Sequence, residues 1–204
     1  MFKASFRTRD ETAAAEAAAP GHFYAYKASL IGAAHRFELT EPGLSWRTGR
    51  RSGLWRYADI TMVRLSYRPM GMQHRRFRAD IDHADGSHIT IMSTSKQTVA
   101  LMQPQAGYAG FILQLHRQLA SAGGTASLRA GLRPTVYRII VVAVVLFGAA
   151  MAVLLLRALF TGEFAGVLFI VGFGALFGWQ IGGFIRRNRP RGYSFDEVPE
   201  ALLQ

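Results

Sequence analysis

The sequence has no cysteine among its 204 residues, which excludes disulfides, thiolate metal sites, cysteine nucleophiles and S-acylation together. It is poor in acid, with 13 Asp+Glu against 24 Lys+Arg. Charge is missing altogether from residues 139–156 and 164–185. Two uncharged runs of that length exclude an ordinary water-soluble globule. The N-terminus lacks the apolar core of a signal peptide, because Lys3, Arg7 and Arg9 lead into the Ala/Glu tract Glu11–Ala19. Membrane targeting is therefore expected from the later runs, and residues 1–21 are expected to be a disordered, low-complexity tail.

As helices the two runs would be about 27 Å and 33 Å long, close to the roughly 30 Å hydrocarbon thickness. A backbone in lipid must satisfy its own hydrogen bonds, so they predict an all-α hairpin: spans over 135–158 and 164–185 joined by a short external loop, 159–163. Arg129, Arg133 and Arg138 precede the first span, and Arg186, Arg187, Arg189 and Arg191 follow the second. Arg157 alone lies in the connection. The positive-inside rule then places the N- and C-termini in the cytoplasm of a bacterial inner membrane. Tyr137, Arg138, Trp179, Arg186 and Arg187 are expected at the membrane interface. Gly174, Gly178 and Gly182 form a small-residue face matched by Gly148 and Ala152. It is expected to pack within the hairpin, the alternative being association of two hairpins. Gln180 is the single strongly polar side chain within either run, a poor basis for transport.

The soluble part has period-two alternation. Phe37 and Leu39, Leu44 and Trp46, and Val63, Leu65 and Tyr67 alternate with polar neighbours, with breaks at Glu41-Pro42-Gly43, Gly49–Gly53, Pro69–Gln73 and Asp85-Gly86. These are short antiparallel strands. At Asp85-Gly86 a two-residue loop would pair Asp82 with Ile89 and mix the faces. A three-residue loop, Ala84-Asp85-Gly86, pairs Ile81 with Ile89 and Ala79 with Ile91, and is preferred. Tyr108, Phe111, Ile112, Leu115 and Leu119 then recur at helical spacing up to Gly123-Gly124. The domain is expected over 22–122, followed by a linker, 123–134, with Pro134 in the first turn of the membrane helix. The cytosolic tail 186–204 carries Tyr193, Phe195, Val198, Leu202 and Leu203. It is expected to fold back on the cytosolic domain or the membrane surface.

Phe37-Glu38-Leu39-Thr40 through Gly43-Leu44, the Tyr57-Ala58-Asp59-Ile60 step, Ile81 through Gly86 to Ile91, and Tyr108-Ala109-Gly110-Phe111 to Leu115-His116 resemble bacterial pleckstrin-homology-like domains. With the two spans, the resemblance is to membrane proteins of unknown function that carry such a domain. It implies an α+β fold: a PH-like, strongly bent antiparallel β-sandwich or barrel with one C-terminal capping helix. The resemblance covers roughly residues 23–204 and supplies no ligand.

No catalytic pattern stands out. Ser93-Thr94-Ser95-Lys96 has a Ser-x-x-Lys spacing but ends a strand without a companion motif. The six histidines lack metal-ligand spacing, and Asp80, Asp82 and Asp85 depart from a calcium loop at Ala84. Neither an enzyme nor a cofactor or metal is expected. What remains is electrostatic, since residues 1–133 alone carry a net charge of +9. Arg47, Arg50 and Arg51 flank one turn with Arg56 shortly after, and Arg68, Arg75, Arg76 and Arg78 flank the turn around Gly71. Anionic lipid headgroups or an acidic protein fit such tips; nucleic acid needs more than charge. The expected function is a membrane-anchored contact module, with an accessory subunit of a larger membrane complex, or a homo-oligomer, as the alternative.

Overall fold

Alternating burial along short segments builds two sheets in the computed structural model, which describes residues 21–29, 32–69, 76–96 and 102–203. The first has the order β1-β2-β3-β4, from Phe23–Tyr26, His35–Leu39, Leu44–Thr48 and Arg51–Trp55, each antiparallel to the next. A 3-10 turn, Tyr57–Asp59, leads to β5 (Ile60–Tyr67), β6 (Phe77–His83) and β7 (His88–Met92). These form the second sheet, whose order is completed by two strands from much later in the chain: β11-β10-β5-β6-β7, with β10 Ser127–Ala130 and β11 Arg191–Gly192. A small ladder joins β8 (Thr94–Lys96) to β9 (Met102–Pro104).

The β6–β7 register agrees with the three-residue loop. Ile81 faces Ile89, Ala79 faces Ile91 and Asp82 faces His88, with Gly86 at φ +82°. The core is filled from both sheets by Phe37, Leu44, Ile60, Leu65, Ile81 and Ile91. Helix α1 (Tyr108–Ser121) adds Phe111, Ile112, Leu115 and Leu119, all fully buried, as the helical spacing predicts. Sheet edges are costly to leave open. Here Tyr24 and Tyr26, two apart on β1, donate their hydroxyls to the Met92 and Thr90 carbonyls of edge strand β7 at 2.6 and 2.8 Å.

The segment 123–134, expected as a linker, contains strand β10. Leu128 and Ala130 are buried while Ser127 and Arg129 are exposed. The capping helix is therefore not the last element of the β-rich part. The chain clusters into two units: one runs to Arg129 and resumes at Gly192, and the other is Ala130–Arg191. The first includes the C-terminal segment, where Leu202 and Leu203 are buried and a 3-10 turn, Glu200–Leu202, packs against β5.

In the second unit, α2 (Pro134–Phe160) begins with Pro134 at its first turn, and α3 (Phe164–Arg187) follows a turn with Gly162 at φ +75°. At 27 and 24 residues they are about 40 and 36 Å long, enough to span a bilayer with some tilt. No residue of either helix is buried, which suits lipid rather than a protein core. The chain has the marks of a membrane protein with a β-rich N-terminal domain and two candidate spans.

The seam between these helices corrects one expectation. Phe147 meets Phe177 and Phe173 at ring distances of 4.8 and 6.5 Å, and a Cβ placed on Gly166 would touch Ala158. At Gly148, Gly174, Gly178 and Gly182 an added Cβ meets nothing within 4 Å. The glycine face does not form the seam, because each residue turns a helix by about 100° and Gly178 stands one residue past Phe177. Ala152, like Gly148, is on an exposed stretch of α2.

Candidate anion-binding surface

Arg47, Arg50 and Arg51 are all exposed around the β3–β4 hairpin, whose turn contains Gly49 at φ +63°. Arg56 is exposed too but follows Trp55 at the opposite end of β4, roughly 17 Å of strand away, and so is not part of that tip. On the outer face of this sheet Arg36 lies directly opposite Arg47, beside a shallow groove of about 430 Å³ that also takes in Glu38, Ser45, Ser52 and Leu54.

The second basic region is more enclosed. Arg75 lies outside the described residues, whereas Arg68, Arg76 and Arg78 are half-buried. The Arg68 amide donates to the Arg76 carbonyl at 2.8 Å, which continues the β5–β6 register beyond Tyr67 and Phe77 and sets the two arginines side by side. Arg78 stands two residues along β6 on the same face, opposite Ser66, and Asp80 comes next, opposite Arg64. Asp80 is already committed: Arg78 bonds it at 2.6–2.8 Å, and the Thr90 hydroxyl donates to the same oxygen at 2.8 Å. Burial first, and then the neighbouring Arg78 charge, hold Arg68 and Arg76 below the ordinary arginine range. Tyr26 lies close enough to feel Arg78 and Arg76, yet burial pushes its phenol up to about 12. Its hydroxyl is 3.3 Å from His35 Nδ1.

The other marked residues serve the fold. Ser93 Oγ accepts the Phe77 amide at 2.9 Å, and Lys96 closes strand β8 three residues later. The His83 ring stacks on Trp55 at 4.8 Å and its Nδ1 is 3.0 Å from Asp85. Hydrogen bonds from Ser87, helped by His83, lower Asp85 to about 2.

Sequence reasoning did not single out the pairing of His116 with Tyr193. His116 is buried on α1; Nδ1–H donates to the Ile112 carbonyl at 2.7 Å and Nε2 accepts the Tyr193 hydroxyl at 2.8 Å. The Phe195 ring packs edge-on at 6.4 Å. A partner 77 residues away leaves no local signal. Burial lowers the His116 pKa, with the Ile112 bond opposing, so the neutral ring is the folded form. The unfolded chain then binds the proton more readily. Stability is complete above the ordinary histidine value of 6.5 and falls as pH drops below it, by at most about 1.4 kcal/mol per pH unit. His35, also lowered by burial, acts with the same sign. Urea midpoints between about pH 7 and 5 check this: His116→Gln is expected to flatten the dependence, and an unchanged slope would refute the assignment.

No protein-family model matches the chain, and no curated protein or solved structure matches it.

Proposed function

We propose that the protein is a non-enzymatic, membrane-anchored module. A pleckstrin-homology-like domain is held by the two-helix hairpin at the cytoplasmic face of a bacterial inner membrane and contacts anionic headgroups through its basic hairpins. The observation that carries this reading is the exposed Arg47–Arg50–Arg51 tip on a β-rich unit whose chain leads directly into two apolar helices. The β1–β4 sheet and the β5–β7 meander, followed by α1, support the PH-like assignment. Because that unit draws chain from before and after the hairpin, two crossings return the chain to the side it left, and the arginine bias favours the cytoplasm.

Each arginine near an anionic surface contributes on the order of 1 kcal/mol. Reversing all three to Glu in the full-length protein, reconstituted in nanodiscs of mixed phosphatidylcholine and phosphatidylglycerol, is expected to cut anionic-lipid enrichment about tenfold or more. Enrichment is read by mass spectrometry of the lipids retained. Retention equal to wild type would rule out headgroup contact at this tip.

The open glycine face favours a second reading, in which α3 docks a helix of a larger membrane complex. Gly178→Leu should then release a copurifying membrane protein without shifting the thermal unfolding of the purified chain. A partner retained in normal amount would discard that reading.

A further inference from the structure

We infer that the Arg68–Arg76 end of the β5–β6 ladder is a discrete site for a phosphate-type oxyanion, built by Arg68 and Arg76 beside the Arg78–Asp80 pair. The inference rests on the basic-surface reading above and names one site and its ligand chemistry.

Cross-strand like charges repel, and partial burial makes the repulsion worse. Arg68 nevertheless stands beside Arg76, with Arg78 on the same face. Arg64 is a fourth arginine on that face and is largely buried. The carboxylates there are Asp80, held by Arg78 and Thr90, and Asp82, two residues further from the arginine end. Among the described residues of these two strands, four arginines share the face with two aspartates, so the ladder itself carries a formal excess of two positive charges. Arg68 Nε is buried and meets no hydrogen-bond acceptor among the described residues. A buried donor without an acceptor is costly, and most strongly so when charged. A doubly charged oxyanion such as a phosphomonoester supplies acceptors and neutralises the excess, and the planar guanidinium fork matches its oxygens.

The β3–β4 tip is different. Arg47, Arg50 and Arg51 are exposed and solvated, suited to a diffuse headgroup layer rather than one bound anion. The two regions should therefore respond separately to substitution.

Full-length protein in a neutral detergent is titrated with inorganic phosphate and followed by thermal shift and 31P line broadening. In parallel it is reconstituted in nanodiscs holding phosphatidylcholine alone or with phosphatidic acid. Wild type, Arg68→Gln/Arg76→Gln and Arg50→Gln/Arg51→Gln are compared. The inference expects saturable phosphate binding that weakens about tenfold or more in Arg68→Gln/Arg76→Gln and stays within about twofold of wild type in Arg50→Gln/Arg51→Gln. No saturable phosphate binding, or equal loss in both variants, overturns it. Tight phosphate binding without phosphatidic acid enrichment supports the site with a soluble phosphate as its ligand and refutes the lipid reading alone. Anionic-lipid enrichment together with no saturable phosphate binding refutes the site and keeps the broader reading. Unchanged unfolding of the ligand-free variants shows that a loss is one of binding.

Discussion

Deleting Tyr193–Leu203 should unfold the β-rich unit. The segment is integral to that unit: Leu202 and Leu203 are 1% and 6% exposed, Phe195 packs against His116, and Tyr193 closes the bond to that histidine. Burying a large apolar side chain contributes about 1.5–3 kcal/mol, so Leu202 and Leu203 together with half-buried Phe195 amount to roughly 4 kcal/mol or more. A domain's whole stability is about 5–15 kcal/mol. Circular dichroism of the detergent-purified truncation should show a lost or strongly lowered transition for the β-rich unit, with the helical signal kept. An unshifted transition would mean that the segment is only adjacent. Two point changes grade the effect: Leu202→Ala should cost about 2–5 kcal/mol, and Tyr193→Phe, which removes one hydroxyl, about 1 kcal/mol.

Gly131→Ala should open the base of the membrane hairpin. Gly131 has φ +83°, and a Cβ there would collide with the Asn188 and Arg189 carbonyls. The next amide, Leu132, donates to the Asn188 carbonyl at 3.0 Å and ties the chain entering α2 to the chain leaving α3. A left-handed conformation costs a non-glycine residue about 1–2 kcal/mol, and the clash raises the total to about 3 kcal/mol or more. Hydrogen exchange at the Leu132 amide provides the check, with protection expected to fall at least tenfold. Wild-type protection in the variant would show that the backbone absorbs the extra methyl group.

How much of this was readable beforehand depended on the range of the interaction. The β6–β7 register followed from Ile81, Ile89 and the left-handed Gly86, all within one hairpin, and the spacing of Phe111, Leu115 and Leu119 gave α1. Uncharged length revealed the spans. Strand β10 was missed because four residues between Gly124 and Gly131 look like a linker until β5 is known to lie beside them. The glycine stripe was legible as a face but not as the face turned away from the seam, since rotational setting depends on the large side chains, here Phe147 and Phe177. At the basic surface, composition exposed the arginines. Separating the solvated Arg50 from the enclosed Arg68, and finding Asp80 already occupied, required the cross-strand register.

The interleaving of the two units imposes an order on biosynthesis. Residues 193–203 leave the ribosome only after both apolar helices, so the surface around His116 and β5 stays uncovered while the hairpin is being inserted. A nascent chain paused between the two events presents a nearly finished sheet with an open apolar flank, a substrate for holding chaperones. Synthesis of both apolar helices thus precedes closure of the fold, and the last residues made are the ones that complete it.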